Sequence, residues 1–200
     1  MPDLDDEFDA QLADAGDDRA GLDDADASVG DLVDEDDYPE DATDDEVDVV
    51  GALYREDGEP SGVALPAVLA NDLEGLIKAL RRVPGDAGAV GVVSVDDEFF
   101  VFVRVRGKVV QVLLSDAVAA NDWPIARDVA DYLDVEIPED EDDSEPVGDL
   151  DMFADVGLPE IDLEALCSDL DREPLETVEA VIERLGYAVP YERIAAEFDL

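Results

Sequence analysis

The sequence predicts an α+β protein: an antiparallel sheet domain with flanking helices, a disordered acidic N-terminal tail and a small helical C-terminal unit. Three observations support this prediction: acidic residues concentrated in both flanks, strand-length apolar runs at hairpin spacing in the centre, and short helical repeats near the end. We therefore divide the 200 residues into a tail (1–46), a sheet domain (47–137), an acidic linker (138–148) and a helical unit (149–200).

The charge of the chain is strongly negative and unevenly distributed. The chain has 58 acidic and 12 basic residues and no histidine, for a net charge of −46. Residues 1–46 hold 21 acids and one arginine, residues 47–133 hold 14 acids and 8 bases, and residues 134–200 hold 23 acids and 3 bases. Such a chain repels nucleic acid and anionic membrane surfaces, so we expect no direct nucleic-acid or membrane binding and a basic protein as partner.

The tail has too few apolar residues to offset the entropy of ordering, which is the composition of disorder. Asp24, Asp26, Ser28 and Glu35 match an EF-hand loop in part, but Val29 occupies the position that requires glycine. We therefore expect no metal site in the tail. A solvating tail and a docking arm both remain open as its role.

The sheet domain begins with a β-branched run, VDVVGALYRE (47–56), which predicts a strand. EDGEPSG (56–62) is read as a turn, and VALPAVLA (63–70) as a short second strand limited by Pro66. A helix follows, opened by Asn71 with Glu74 in capping-box position and ended at Pro84. Its apolar face carries Leu73, Leu76, Ile77 and Leu80.

Three apolar runs then follow at hairpin spacing, separated by Asp96–Asp97 and by Gly107, and they predict three antiparallel strands. Alternate residues of the middle run, FFVFVRVR (99–106), lie on opposite faces. One face carries Phe99, Val101, Val103 and Val105, and the other carries Phe100, Phe102, Arg104 and Arg106. Both faces are apolar at one end, so we expect a central strand. Helical stretches are predicted from Ser115 to Ala120 and from Pro124 to Leu133.

Basic residues cluster in the centre of the chain. Six of the twelve lie between residues 78 and 108: Lys78, Arg81, Arg82, Arg104, Arg106 and Lys108. They form either a docking patch, for example for the acidic flanks, or ordinary surface charges that balance local acids; we favour the second, because the sequence does not show that helix and hairpin present them together. The candidate interaction surface is Phe100, Phe102, Arg104, Arg106 and Lys108.

The C-terminal unit consists of short amphipathic helices with acidic outer faces. Leu163, Leu166, Cys167 and Leu170 recur at helical spacing, as do Val178, Val181, Ile182 and Leu185. Cys167 lies on an apolar stripe, which is typical of a small core residue. The turn before a last helix at Pro190 suggests a helix-turn-helix, but the surrounding acids argue against DNA contact.

The residue inventory excludes several classes of enzyme. Without histidine and with one cysteine, the chain cannot form a His/Cys zinc site or a Ser-His or Cys-His nucleophile pair. Phosphate-binding glycine motifs are missing from the sequence too. We therefore predict a protein that is not an enzyme and has no cofactor and no catalytic or metal-binding residues. The single cysteine, with no signal peptide or membrane span in the sequence, predicts a cytoplasmic location.

Two blocks resemble a known family. DDEFFVFVRVRGKVVQVLLSDAVAA (96–120) and DLDMFADVGLPEIDLEALCSD (149–169) are similar to the bacterial tRNA adenosine deaminase-associated proteins, from about Val47 to the end. The resemblance implies association with a deaminase that converts the wobble adenosine of the anticodon to inosine. It does not imply deaminase activity, since that enzyme holds zinc through H-x-E and P-C-x-x-C, which this chain lacks.

The function predicted from these observations is that of a non-enzymatic accessory of tRNA adenosine-to-inosine editing. It would bind a basic tRNA-modifying enzyme such as a tRNA adenosine deaminase. Two alternatives stay open: a general acidic interaction or solubility module unrelated to tRNA, and an enzyme that uses carboxylates alone.

Overall fold

Six strands form one antiparallel sheet in the computed structural model, which describes residues 38–85, 88–138, 144–169, 171–198 and 200. The strand order is β2-β1-β3-β4-β5-β6. The strands are β1 (Val47–Glu56), β2 (Glu59–Ala64), β3 (Ala89–Val95), β4 (Phe99–Arg106), β5 (Val109–Leu114) and β6 (Val147–Gly148). The predicted α+β class and antiparallel sheet are confirmed.

Within the described residues, five α-helices flank the sheet: α1 (Leu73–Leu80), α2 (Pro124–Leu133), α3 (Glu160–Cys167), α4 (Pro174–Leu185) and α5 (Ala188–Ala195). The same part of the chain has three short 3-10 helices between strands and α-helices: Ala67–Asn71, Ala117–Asn121 and Ala154–Val156. The helical stretch predicted from Ser115 is one of these, and the Asp116 side chain caps it by accepting from the Val118 amide.

The first hairpin turn is tighter than predicted. Asp57 and Gly58 have φ values of 54° and 82°, and two positive values in a row fit the type I′ hairpin turn that the pair Asp-Gly favours. Glu59 consequently pairs with Glu56, so most of the segment read as a turn belongs to β2. VALPAVLA is correspondingly not one strand: β2 ends at Ala64, and a 3-10 helix begins at Ala67.

Helix α1 begins one residue later than predicted. Asp72 is the N-cap, and its side chain accepts from the Gly75 amide at 2.7 Å. Asn71 instead exchanges two hydrogen bonds with the backbone of Ala42, at 2.8 and 2.9 Å. Both residues can cap a helix, and the contact with Ala42 decides between them.

The two faces of the sheet bury separate apolar clusters. Helices α1 and α2 cover the first face, where Phe99 of β4 and Val93 of β3 are fully buried. Helices α3, α4 and α5 cover the second face, where Phe102 of β4 and Val92 of β3 are fully buried. β3 is buried along its whole length, because both faces of this central strand are covered.

Glycines let helices approach the central strands. A Cβ on Gly91 of β3 would lie 2.8 Å from Leu80 of α1, and a Cβ on Gly51 of β1 would lie 2.8 Å from Ile194 of α5. Both separations are too short for carbon atoms, so a side chain at either position would force the Leu80 or Ile194 side chain to move.

The start of the sheet domain lies earlier than the predicted boundary at residue 47. The Tyr38 hydroxyl donates to Asp128 of α2 at 2.6 Å, and Ala42 is buried in the first-face cluster. The Asp96 amide donates to the Glu46 carbonyl at 2.7 Å. Residues 38–46, predicted to belong to the disordered tail, therefore pack on the domain. The rest of that prediction, for 1–37, and the partial EF-hand pattern lie outside the described residues.

Candidate functional site

The two phenylalanines of the predicted interaction surface lie in the core. Phe100 and Phe102 are 2% and 0% exposed, and they belong to the cluster between the second face and helices α3–α5. The ring of Phe102 meets that of Phe100 at 5.3 Å and that of Phe153 at 5.6 Å, both edge to face. A partner cannot contact these two residues while the C-terminal helices are in place. The sequence alone does not show what covers the face that carries Phe100 and Phe102. The structure shows that the chain's own helices α3–α5 cover it.

Arg104 holds the C-terminal segment on the sheet. It is 6% exposed, and its guanidinium donates to the Met152 carbonyl and, through both terminal nitrogens, to the Asp155 carboxylate. Arg106 reaches the same carboxylate at 2.9 Å. The hydrogen bond from Arg104, followed by the charges of Arg104 and Arg106, lowers the pKa of Asp155. We call Arg104, Arg106, Asp155 and the Met152 carbonyl the arginine anchor.

The structure brings part of the basic cluster together. Arg81, in the turn after α1, and Arg106, at the end of β4, line one open pocket of about 350 Å³. Lys108 is exposed in the turn between β4 and β5, and Lys78 instead forms an ion pair with Glu74 at 2.8 Å. Helix and hairpin therefore do present charges on a common surface.

Arg55 and Tyr187 belong to the same end of the sheet, and no pattern in the sequence singles them out. Arg55, near the end of β1, donates to the Leu185 carbonyl at 3.1 Å and to the Gly58 carbonyl at 3.3 Å. Its guanidinium carbon lies 5.1 Å from the centre of the Tyr187 ring, a cation–π distance. Burial raises the pKa of Tyr187, and the positive charges of Arg55 and Arg104 oppose that shift.

Acidic side chains cover the outside of the C-terminal helices. Val178, Val181 and Leu185 of α4 point to the core, whereas the acids of the same helix point to solvent. The exposed acids between residues 159 and 198 are Glu160, Asp162, Glu164, Asp169, Asp171, Glu173, Glu176, Glu179, Glu183, Glu192 and Glu197. Exposed bases in the described part of this range are Arg184 and Arg193.

Reactive groups are few in the part of the chain that the structure describes. Burial raises the pKa of Cys167 to about 12, so its thiol stays protonated at neutral pH and is a poor nucleophile or metal ligand. Within the described ranges, no three His, Cys, Asp or Glu side chains are placed to hold a metal ion. Nor does any described helix combine the length and the apolar character needed to cross a membrane.

Comparison with known proteins places this fold in a family. The family described as Rv3753c-like tRNA adenosine deaminase-associated protein matches residues 48–188. The chain belongs to this family. The match runs from the second residue of β1 to the first residue of α5, so it includes nearly the whole sheet, most of both cores and the arginine anchor.

A curated member of this family supports the assignment. Protein Rv3753c of Mycobacterium tuberculosis is 41% identical over 146 residues, which cover 68% of this chain and 81% of that protein. No solved structure matches the chain. The family's description names association with a tRNA adenosine deaminase rather than the deaminase itself.

Proposed function

We propose that this protein is a non-enzymatic accessory of tRNA wobble adenosine-to-inosine editing, located in the cytoplasm, which binds a basic tRNA-modifying enzyme. The partner we propose is a tRNA adenosine deaminase. The family's description connects the chain with such an enzyme. The residue inventory supports a non-enzymatic role, because zinc deaminases hold their metal through histidine and cysteine, and this chain has no histidine and one cysteine.

The acidic outer face of α4 is the observation that carries this proposal. Glu176, Glu179 and Glu183 are exposed and follow one another at three- and four-residue spacing, so they line one side of the helix. At a rise of about 1.5 Å per residue, the three carboxylates extend over roughly 10 Å. The opposite side of the helix is fixed to the sheet core, so the row is held on a rigid support.

Such a row is complementary to a surface that binds RNA. An enzyme that holds tRNA gains much of its affinity from lysine and arginine side chains that neutralise phosphates. Carboxylates on a rigid helix offer the same side chains an alternative anion. We propose that the protein occupies part of this basic surface and competes with RNA for it, or protects the free enzyme.

The proposed association is electrostatic, so it depends on salt. Exposed charges are screened over about 8 Å at physiological ionic strength, and complementary charge chiefly accelerates encounter. We expect binding to weaken markedly from low to high salt, mainly through the association rate. Excess tRNA is expected to displace the protein, because both present negative charge to the same surface.

The test combines co-purification with a pair of charge-matched variants. The full chain is used to capture the tRNA adenosine deaminase from native cells, and the affinity of the purified pair is measured at several salt concentrations. The variant E176Q/E179Q/E183Q is compared with D122N/D131N/E136Q, which removes three negative charges from exposed residues in or beside α2. We expect the first variant to weaken binding about tenfold and the second about twofold or less.

Three outcomes would overturn the proposal. Equal losses in the two variants would mean that net charge alone acts, as expected of a general acidic interaction or solubility module. A complex that neither salt nor tRNA weakens would indicate an apolar interface. Inosine formed by this protein alone, or one zinc per chain by elemental analysis, would contradict the non-enzymatic role.

A further inference from the structure

Two neighbouring pockets open at the basic end of the sheet, and neither is lined by the acidic row of α4. The first, which we call the ring pocket, has a volume of about 220 Å³ and is lined by Arg55, Val90, Arg104, Phe153 and Tyr187 among others. The second, which we call the phosphate pocket, has a volume of about 350 Å³ and is lined by Arg81, Arg106 and three glycines. Gly88 lines both, so the two lie side by side.

The ring pocket suits a flat ring. The half-buried Tyr187 contributes an aromatic ring with the Arg55 guanidinium over it, and the buried residues Val90, Phe153 and Leu185 form apolar walls. Aromatic rings and guanidinium planes are the side chains on which nucleic-acid bases stack in proteins. Arg55 donates to the Gly58 and Leu185 carbonyls, which hold its guanidinium at the edge of the pocket.

The phosphate pocket suits a small anion. Arg81 and Arg106 bring two guanidinium groups to it, and such groups bind phosphate through paired hydrogen bonds. Arg106 also pairs with Asp155 at 2.9 Å, so a phosphate there would share this guanidinium with the Asp155 carboxylate. Its glycines, Gly85, Gly88 and Gly107, place no side chain in the opening. Gly88 has a φ of +91°, and a Cβ there would lie 2.2 Å from the Val105 carbonyl oxygen, so other residues are excluded. Residues 86 and 87 lie outside the described residues and are no part of this site.

We propose that the two pockets together bind a nucleoside monophosphate, with the base in the ring pocket and the phosphate between Arg81 and Arg106. Each pocket alone is at or below the lower end of the size of ligand sites, about 300–1,000 Å³, whereas the pair falls within it. A free mononucleotide carries about two negative charges, so the overall charge of −46 repels it far less than it repels a nucleic acid. The ligand is therefore a free nucleotide rather than RNA.

The experiment titrates the full-length protein with AMP and follows binding by calorimetry. Adenosine and inorganic phosphate are titrated separately, to measure what each half of the ligand contributes. We expect AMP to bind more tightly than either half alone. GMP, CMP and UMP then show which base the ring pocket prefers.

Two pairs of variants locate the site. Arg81→Gln is expected to weaken AMP binding about tenfold, the effect of losing one charge-assisted hydrogen bond. Its neighbour Arg82 is also exposed but lines neither pocket, so Arg82→Gln should change binding less than twofold. Tyr187→Leu is compared in the same way with Tyr132→Leu, a change at an exposed tyrosine of α2. Thermal midpoints of all four variants check that the fold is retained.

Several results would overturn the proposal. These are no heat or saturation at millimolar AMP, AMP binding no tighter than inorganic phosphate, equal losses in Arg81→Gln and Arg82→Gln, or tRNA binding more tightly than AMP. Equal losses in the two arginine variants would mean that AMP is attracted unspecifically to positive charge. Tighter binding of tRNA than of AMP would mean that the site recognises a nucleic acid rather than a free nucleotide. Neither result would affect the proposed contact through α4, which is tested with a different partner and different residues.

Discussion

The two faces of the sheet are covered in different ways. Helices α1 and α2, on the first face, come from segments directly next to the strands in sequence, and their contact with the sheet is mainly apolar, with a hydrogen bond from the Trp123 side chain, beside α2, to Glu98 at 2.9 Å. Helices α3–α5, on the second face, follow the acidic linker, and polar contacts secure them near both ends of β4. At one end is the arginine anchor; at the other, Asp97 accepts from the Leu175 amide of α4 at 3.2 Å.

This difference indicates two separate roles for apolar and polar contacts. Apolar burial is roughly proportional to area and has little directional preference, so it holds a layer on the sheet without fixing its position. Hydrogen bonds and ion pairs depend on geometry. We infer that Arg104 and Asp97 fix the position of helices α3–α5 on the sheet, because these helices follow a long connection. The short connections on either side of α1 already restrict where that helix can lie.

The largest expected effect is a loss of stability when a core phenylalanine is removed from either face of the sheet. It tests whether the helices on the two faces stabilise the fold equally. Phe99 and Phe102 are fully buried on opposite faces of the same strand. We expect Phe99→Ala and Phe102→Ala each to lower the free energy of unfolding by about 3–5 kcal/mol, because each leaves a cavity. Denaturant unfolding measures both. A loss below about 1 kcal/mol for Phe102→Ala alone would show that the C-terminal helices are a loosely attached unit.

A smaller effect is expected at the arginine anchor. Arg104→Ala should lower the free energy of unfolding by about 2 kcal/mol, because the buried Met152 carbonyl loses the Arg104 donor and Asp155 loses one of its two arginine partners. The loss stays moderate because Asp155 is half exposed, and solvent replaces part of the interaction. Arg106→Ala, which breaks the more exposed ion pair with the same carboxylate, serves as the control and should cost less than 1 kcal/mol. Equal losses would contradict a specific role for Arg104.

The first face has polar attachments too, and truncation tests how much two of them contribute to stability. A chain starting at Val47 loses the Tyr38–Asp128 and Ala42–Asn71 hydrogen bonds and the buried Ala42 side chain. We expect a loss of about 1–2 kcal/mol, seen as a thermal midpoint lower by roughly 3–6 °C. A chain starting at Asp36 should keep the midpoint of the full chain, since residues 1–35 have the composition of disorder. An unchanged midpoint for the shorter chain would show that residues 38–46 add nothing to stability.

The smallest effect is a dependence on pH. The folded-state pKa of Asp155 is lowered, so its ion pair stabilises the protein above the ordinary aspartate pKa of about 3.9. That contribution is lost as pH falls through the folded-state value. The difference in unfolding free energy between wild type and Asp155→Asn should therefore stay constant above about pH 5 and shrink below about pH 4. A difference that persists at pH 2 would mean that the variant acts through packing rather than through charge.

Local sequence predicted most of the strands and helices, because alternation and helical spacing depend on neighbouring residues. Contacts between distant residues were not predictable. Arg55 meets Leu185 across 130 positions, and Arg104 meets Asp155 across 51. The alternation of FFVFVRVR correctly separated Phe100 and Phe102 from Phe99, but an apolar face looks the same whether a partner or the chain's own helices cover it. β6, two residues long, pairs with β5 and has no local pattern that could reveal it.

The order of synthesis gives the arginine anchor a further meaning. Proteins emerge from the ribosome N-terminus first, so the second face of β4 is made well before the helices that cover it. During that interval Phe100 and Phe102 are exposed on a strand of high β-propensity, which is a hazard for aggregation. Arg104 and Arg106 lie on that face, and their positive charges have no Asp155 carboxylate to pair with until that residue has been synthesised. In the nascent chain we expect these two arginines to act as gatekeepers against aggregation. In the folded protein they hold the C-terminal segment that covers Phe100 and Phe102, so the apolar face is no longer exposed.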